Sequence, residues 1–203
     1  MAKRLSPGSI HESPGESMSR MMLRFLNAPT LILLTAIAVA IQTSLFAAWP
    51  LRLFEPDIVL LVVLWCAMNR DFTEGGIITL IVAEIAELHS AAPQGVLLIT
   101  YMLVYLTFRG ASKIFVLATD DGMVRVSAWS SILWRVILGI VLNLLAPNRS
   151  SWHHLILFMV PAALIQAGVG LWVFKWLEKF DIATFKNTSS ENPDEFQIDN
   201  LSI

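Results

Sequence analysis

Two carboxylates three residues apart, Glu84 and Glu87, stand with His89 in the stretch IVAEIAELHSAAPQG, between the apolar runs GGIITL and VLLITYMLVYL. Three-residue spacing places Glu84 and Glu87 on one helix face, so both can look into the same interior. That arrangement suits a ligand or proton site. It also suits a plainer division of labour, in which Glu87 tethers the following turn and Glu84 is the counter-ion of a buried cation. Glu87 and His89 are also the acid–base pair that an intramembrane enzyme would need, although no nucleophile stands beside them. His89, His153 and His154 invite a metal reading, but no Cys, Asp or HExxH pattern accompanies them. The single cysteine, Cys66, lies in an apolar run and excludes an internal disulfide or a CxxC site. No Gly-rich phosphate loop, nucleophile elbow or zinc motif occurs. No catalytic residue, metal ligand or cofactor is therefore assigned, and no nucleic-acid partner is expected.

The elements that must position these residues are membrane helices. Of the 203 residues, 56% are hydrophobic and 15% charged, where soluble domains carry about 25% charged residues. A span needs roughly 20 apolar residues, and by that measure the chain divides into six segments: 29–47, 57–69, 75–88, 93–117, 126–145 and 152–177. The expected fold is an all-α membrane protein of about six transmembrane helices, with a short second and third helix forming a hairpin around NRDFTE. Residues 1–28 read as a disordered polar leader and 178–203 as a polar, acidic tail.

With six crossings, one side holds eleven cations: Lys3, Arg4, Arg20, Arg24, Arg70, Arg109, Lys113, Arg125, Lys175, Lys179 and Lys186. The other side holds only Arg52 and Arg149, and Arg135 lies within the fifth segment, which accounts for all 14. Lys and Arg gather on cytoplasmic loops, so both termini are expected in the cytoplasm, with the protein in a bacterial inner membrane. Glu84 and Arg135 would then each lie about 13 Å from the cytoplasmic ends of their helices. An unpaired charge at the centre of a span costs about 2.5–3.5 kcal/mol on the insertion scale. Shared depth predicts a Glu84–Arg135 pair joining the third and fifth helices. Asn143 and Gln166 are candidates for interhelical hydrogen bonds.

The stretch LFEPDIVLLVVLWCAMNRDFTEGG, followed by EIAELHSAAPQGVLLITYMLVYL, resembles the MreD family of bacterial rod shape-determining membrane proteins. Gln42 stands where the family's first span ends in Gln, and AAWPLRLFEP occupies the place of its Trp/Pro-rich outer loop. Pro56 opens the short second helix. Glu87, Leu88, the turn SAAPQ and Gly95 match the acidic residue, leucine, small-residue turn and glycine that close the third. The family usually has Asp at Glu87 and a small apolar residue at Glu84. The resemblance covers residues 30–110. It implies a non-enzymatic inner-membrane subunit that binds MreC and joins MreB filaments, the RodA glycosyltransferase and a penicillin-binding transpeptidase in wall synthesis during elongation. It also implies a helix arrangement similar to the substrate-binding subunits of energy-coupling vitamin transporters.

Two functions of different class follow. An assembly subunit would present a groove or lipid-facing surface to its protein partners. A transporter's small-molecule binding subunit would instead enclose Glu84 and Glu87 in a polar pocket open to the outer face.

Overall fold

A computed structural model of the chain describes residues 14–46 (side chains from residue 26), 56–112, 120–145 and 159–184. These form six α-helices: α1 (Pro14–Leu45), α2 (Ile58–Asn69), α3 (Phe72–Leu88), α4 (Val96–Ala111), α5 (Asp120–Leu145) and α6 (Met159–Ala183). There is no strand among the described residues. Three helices are long and apolar enough to cross a membrane, namely α1 over Leu26–Leu45, α5 and α6, while α2 and α4 are shorter apolar helices.

Order and number follow the hydropathy, whereas several boundaries move. Helix α1 begins at Pro14, inside the stretch read as a leader, and runs through Pro29, which removes a single backbone hydrogen bond. Helix α5 begins at Asp120, because Asp120 and Asp121 form its first turn, where carboxylates face the positive end of the helix dipole. Helix α6 continues to Ala183, past the expected end at residue 177. Trp49, Arg52, Arg149, Trp152, His153 and His154 lie outside the described residues.

The short second helix owes its length to its place. Residues 59–67 are buried without interruption, and α2 touches α1, α3, α4, α5 and α6. A helix that is apolar all round belongs in a core, and the other five are packed against this one. Its twelve residues span about 18 Å, the distance between two polar layers described below.

Helices α5 and α6 pack most extensively on each other; Ser127, Ser130 and Ser131 of one and Ala163, Ala167 and Gly170 of the other are buried, with Gly170 against Ser127. The hydroxyls of Ser127 and Ser130 donate to the carbonyls of Met123 and Ser127, at 2.8 and 2.7 Å, so the serines act here as small residues. Small side chains let helix backbones approach closely in lipid. A methyl group added at Gly170 would sit 2.6 Å from Ser127 Cβ and 3.2 Å from Leu61 Cδ2, whereas one added at Gly168 meets nothing within 4 Å. Gly170→Ala is therefore expected to lower stability by about 1–3 kcal/mol through overpacking. Gly168→Ala should be neutral or slightly stabilising, and Ser127→Gly should recover part of the Gly170→Ala loss. Thermal unfolding in detergent micelles checks the series, and equal effects at the two glycines would contradict this packing.

Candidate functional site

Polar side chains gather in two layers, one at each end of α2. The basal layer holds residues at the start of the apolar part of α1 and at the ends of α2, α4 and α6. Its centre is an ion pair between Arg70 and Asp181, whose side chains are 0% and 2% exposed. The other arm of Arg70 donates to Glu74 at 3.0 Å. Asp181 also accepts from Trp65 Nε1 at 2.8 Å and from Asn27 Nδ2 at 3.2 Å, and the same Asn27 amide donates to Thr184. Arg109 donates to the carbonyls of Ala67 and Arg70 at 3.2 and 2.7 Å. It thereby places a cation on carbonyls that the end of α2 leaves unpaired. Tyr105 donates to the carbonyl of Phe72 at 2.7 Å and fixes the start of α3.

The medial layer holds the start of α2. Asp57 is the N-cap, with one carboxylate oxygen accepting from the Leu60 N–H at 2.8 Å and the other from the Tyr101 hydroxyl at 2.7 Å. A carboxylate suits this place because it takes an orphan N–H and faces the positive end of the helix dipole. The side-chain amide of Gln166 grips the same residue twice. Its oxygen accepts from the Asp57 N–H and its nitrogen donates to the Asp57 carbonyl, both at 2.8 Å. Gln42 accepts from the Ile58 N–H at 3.4 Å. Trp134 packs its ring 6.0 Å from that of Tyr101. The Arg135 guanidinium lies 6.0 Å from the Trp134 ring centre, within electrostatic range of Asp57.

The two layers fix helix direction. Asn27, at the start of the apolar part of α1 (Leu26–Leu45), meets Asp181 near the end of α6, and Gln42, near the end of α1, meets the start of α2. Along α6, Gln166 holds the beginning of α2 and Asp181 its end, so these two helices run parallel. Helices α3 and α4 are joined start to end in both senses, through Tyr105–Phe72 and Glu87–Gly95. Together they give an alternating, up-and-down bundle.

The expected Glu84–Arg135 pair is not formed. Helix α3 packs on α1, α2 and α4, and α5 packs on α2, α4 and α6, so α2 and α4 stand between the two residues. Glu84 is exposed on the outer side of α3, and the acidic group that Arg135 senses is Asp57. Glu87 tethers the turn. One of its oxygens accepts from the Gly95 N–H and the other from the Leu98 N–H at 2.9 Å, which caps the start of α4. Gly95 holds φ = 85°, a left-handed conformation that favours glycine, and this brings its N–H round to Glu87. Pro56 lies directly before the Asp57 cap. His89 is exposed and its ring donates to the carbonyl of Ile85 at 2.9 Å. Of the two amides singled out for interhelical bonds, Gln166 is buried in the medial layer while Asn143 is exposed near the end of α5.

Sequence reasoning passed over Asp57, Tyr101, Asn27, Trp65, Arg109 and the Arg70–Asp181 pair. A signal did exist for Asp57, an N-cap residue type directly before an apolar run. Arg70 and Arg109 were read as loop charges, and Asp181 fell within the expected tail. What these residues do chemically is hold a buried helix at both ends by charge-assisted and backbone-directed hydrogen bonds. No protein-family model matches the chain, and neither a curated protein nor a solved structure matches it.

Proposed function

We propose that this chain is a non-enzymatic assembly subunit of the bacterial cell-elongation machinery, of the MreD type. In this reading it is embedded in the inner membrane through six helices, with the basal layer and both termini on the cytoplasmic side. Its direct partner is MreC, and through it the chain joins MreB, RodA and a penicillin-binding transpeptidase. The same resemblance implies a helix arrangement of the vitamin-transporter substrate-binding type, put to use in helix–helix recognition.

The observation that carries this reading is what the resemblance positions do. Gln42 contacts the start of α2, and Glu87 with Gly95 fixes the start of α4. They set the bundle's shape and leave its outer faces to contact others. Those faces are apolar, with Leu33, Ile37 and Ile41 of α1, Ile77 and Leu80 of α3, and Leu164 and Trp172 of α6 all exposed. The transporter alternative calls for Glu84 and Glu87 in a shared pocket. Glu84 instead faces outward, and both oxygens of Glu87 accept backbone N–H groups.

Depletion of the protein from rod-shaped cells is expected to round them, and tagged protein is expected to bring down MreC from detergent extracts. Unchanged cell shape together with stoichiometric binding of a vitamin-sized solute by purified protein would reverse the choice between the two readings.

A further inference from the structure

The outer face of α3 is an unpartnered stripe with a single charge in it. Thr73, Ile77, Leu80, Ile81, Glu84 and Leu88 are all exposed, and they recur at helical spacing along one side. Glu84 is the only ionisable residue of that stripe. Its carboxylate has neither a hydrogen bond nor an ion pair among the described residues.

Depth follows from the helices themselves. From Phe72, beside the basal layer, Glu84 is twelve residues along α3, about 18 Å. From Arg70, in that layer, Asp57 is thirteen residues back along α2, about 20 Å. Glu84 is thus level with the Asp57–Gln166 layer. Gln166 in turn lies seven residues inside the start of α6, about 10 Å. The carboxylate therefore stands within the apolar span and faces outward, with Ile77, Leu80 and Ile81 around it. The other carboxylates of the bundle at comparable depth are satisfied, Asp57 by Leu60 and Tyr101, and Glu87 by Gly95 and Leu98. Hydrocarbon offers no hydrogen-bond donor, so an acid in this position needs one brought by a partner.

The geometry points to a docking face for a transmembrane helix of another protein that carries an arginine or lysine within its span. The outer stripe of α3 receives that helix, its apolar residues pack against Ile77, Leu80 and Leu88, and Glu84 pairs with the cation. Charge complementarity selects the partner: a helix with an acid or only leucine at that depth leaves Glu84 unsatisfied, while a cation answers it and is answered in return. A second copy of this chain is a poorer match, because Arg135 is half-buried beside Trp134 and Asp57, while Arg125, Lys175 and Lys179 lie toward the start of α5 and the end of α6, with Lys175 already paired to Asp120. This inference rests on the membrane-embedded part of the reading above, and not on which machinery the chain serves.

The test uses full-length protein with a fluorescent acceptor at its C-terminus, reconstituted in phosphatidylcholine vesicles. The probe is a synthetic leucine–alanine transmembrane helix with one central arginine and a donor dye, and the readout is energy transfer. Matched helices carry central leucine, central aspartate, or arginine at one end. Only the central-arginine helix is expected to associate strongly with the wild type, and Glu84→Gln should weaken that association about tenfold. Glu84→Arg should abolish it and create binding to a helix with a central glutamate, a gain that only a folded variant can give.

Equal transfer for the arginine and leucine helices, or for wild type and Glu84→Gln, overturns the proposal. So does transfer between labelled copies of the chain that is lost in Glu84→Gln, since the occupant would then be a second copy. The probe has no part in wall synthesis, so a negative result here is separable from one in the depletion experiment.

Discussion

Asp181→Ala is expected to remove about 3–5 kcal/mol of stability, the usual consequence of leaving one member of a buried ion pair alone. Arg70 keeps a contact with Glu74, but Glu74 is partly exposed, and the guanidinium would remain in the protein interior with its main counter-charge gone. The substitution also removes the acceptor of Trp65 Nε1 and of Asn27 Nδ2, so α1, α2 and α6 lose a common anchor. Domains are stable by roughly 5–15 kcal/mol, and a loss of this size should be visible as reduced protein in the membrane as well as in denaturant unfolding in mixed micelles. The pair itself is expected to contribute far less than the single mutant suggests, because burying two charges is costly. The double variant Arg70→Met/Asp181→Leu should accordingly recover the part of the loss due to the lone guanidinium, and not the part due to the missing acceptor of Trp65 Nε1 and Asn27 Nδ2. If Asp181→Ala unfolds within about 0.5 kcal/mol of the wild type, the range of an ordinary surface substitution, the basal layer is not the anchor described here.

The difference between what was legible in the sequence and what was not has a physical basis. Helix number and order depend on long apolar runs, and those survive any rearrangement of the bundle, so the six segments appear as six helices. The short run 57–69 was readable as a helix, but not as the core helix. Burial on all sides depends on five neighbours that hydropathy cannot place. Glu84 and Arg135 show the same limit. Their depth could be approximated from each helix's length, but whether two helices are adjacent depends on packing, and α2 and α4 separate this pair. Glu87 was readable in both its alternatives because its partner, Gly95, is close in sequence and belongs to the same turn. Arg70 and Asp181 are 111 residues apart, each beside a helix end rich in polar residues, where a solvated loop charge is the ordinary expectation. Nothing local marks the one that folds inward.

Gln166→Leu separates these levels most directly, because the sequence alone ranks Gln166 and Asn143 as equals. Leucine keeps the volume and takes away both hydrogen bonds that the Gln166 amide makes at the start of α2: the Asp57 N–H loses this acceptor, and the Asp57 carbonyl keeps the 3.4 Å bond from the Leu61 N–H. Interhelical polar contacts in membranes average only about 0.6 kcal/mol, since the unpacked helices find other partners. That discount does not reach this contact in full. The groups it serves are main-chain groups at a helix start, their position is fixed by the Asp57–Tyr101 bond, and an apolar span has no water to replace the lost amide. Loss of the acceptor at the Asp57 N–H then costs about 1–3 kcal/mol. Asn143 is exposed on α5, so Asn143→Leu should change stability by less than about 0.5 kcal/mol. Amide hydrogen exchange in micelles adds a local measure. The Asp57 and Ile58 amides should exchange much faster in Gln166→Leu, while those of the basal end of α2 keep their protection. Matching losses in the two variants, or an Asp57 amide that stays protected in Gln166→Leu, would mean that α2 is held at this end by burial alone.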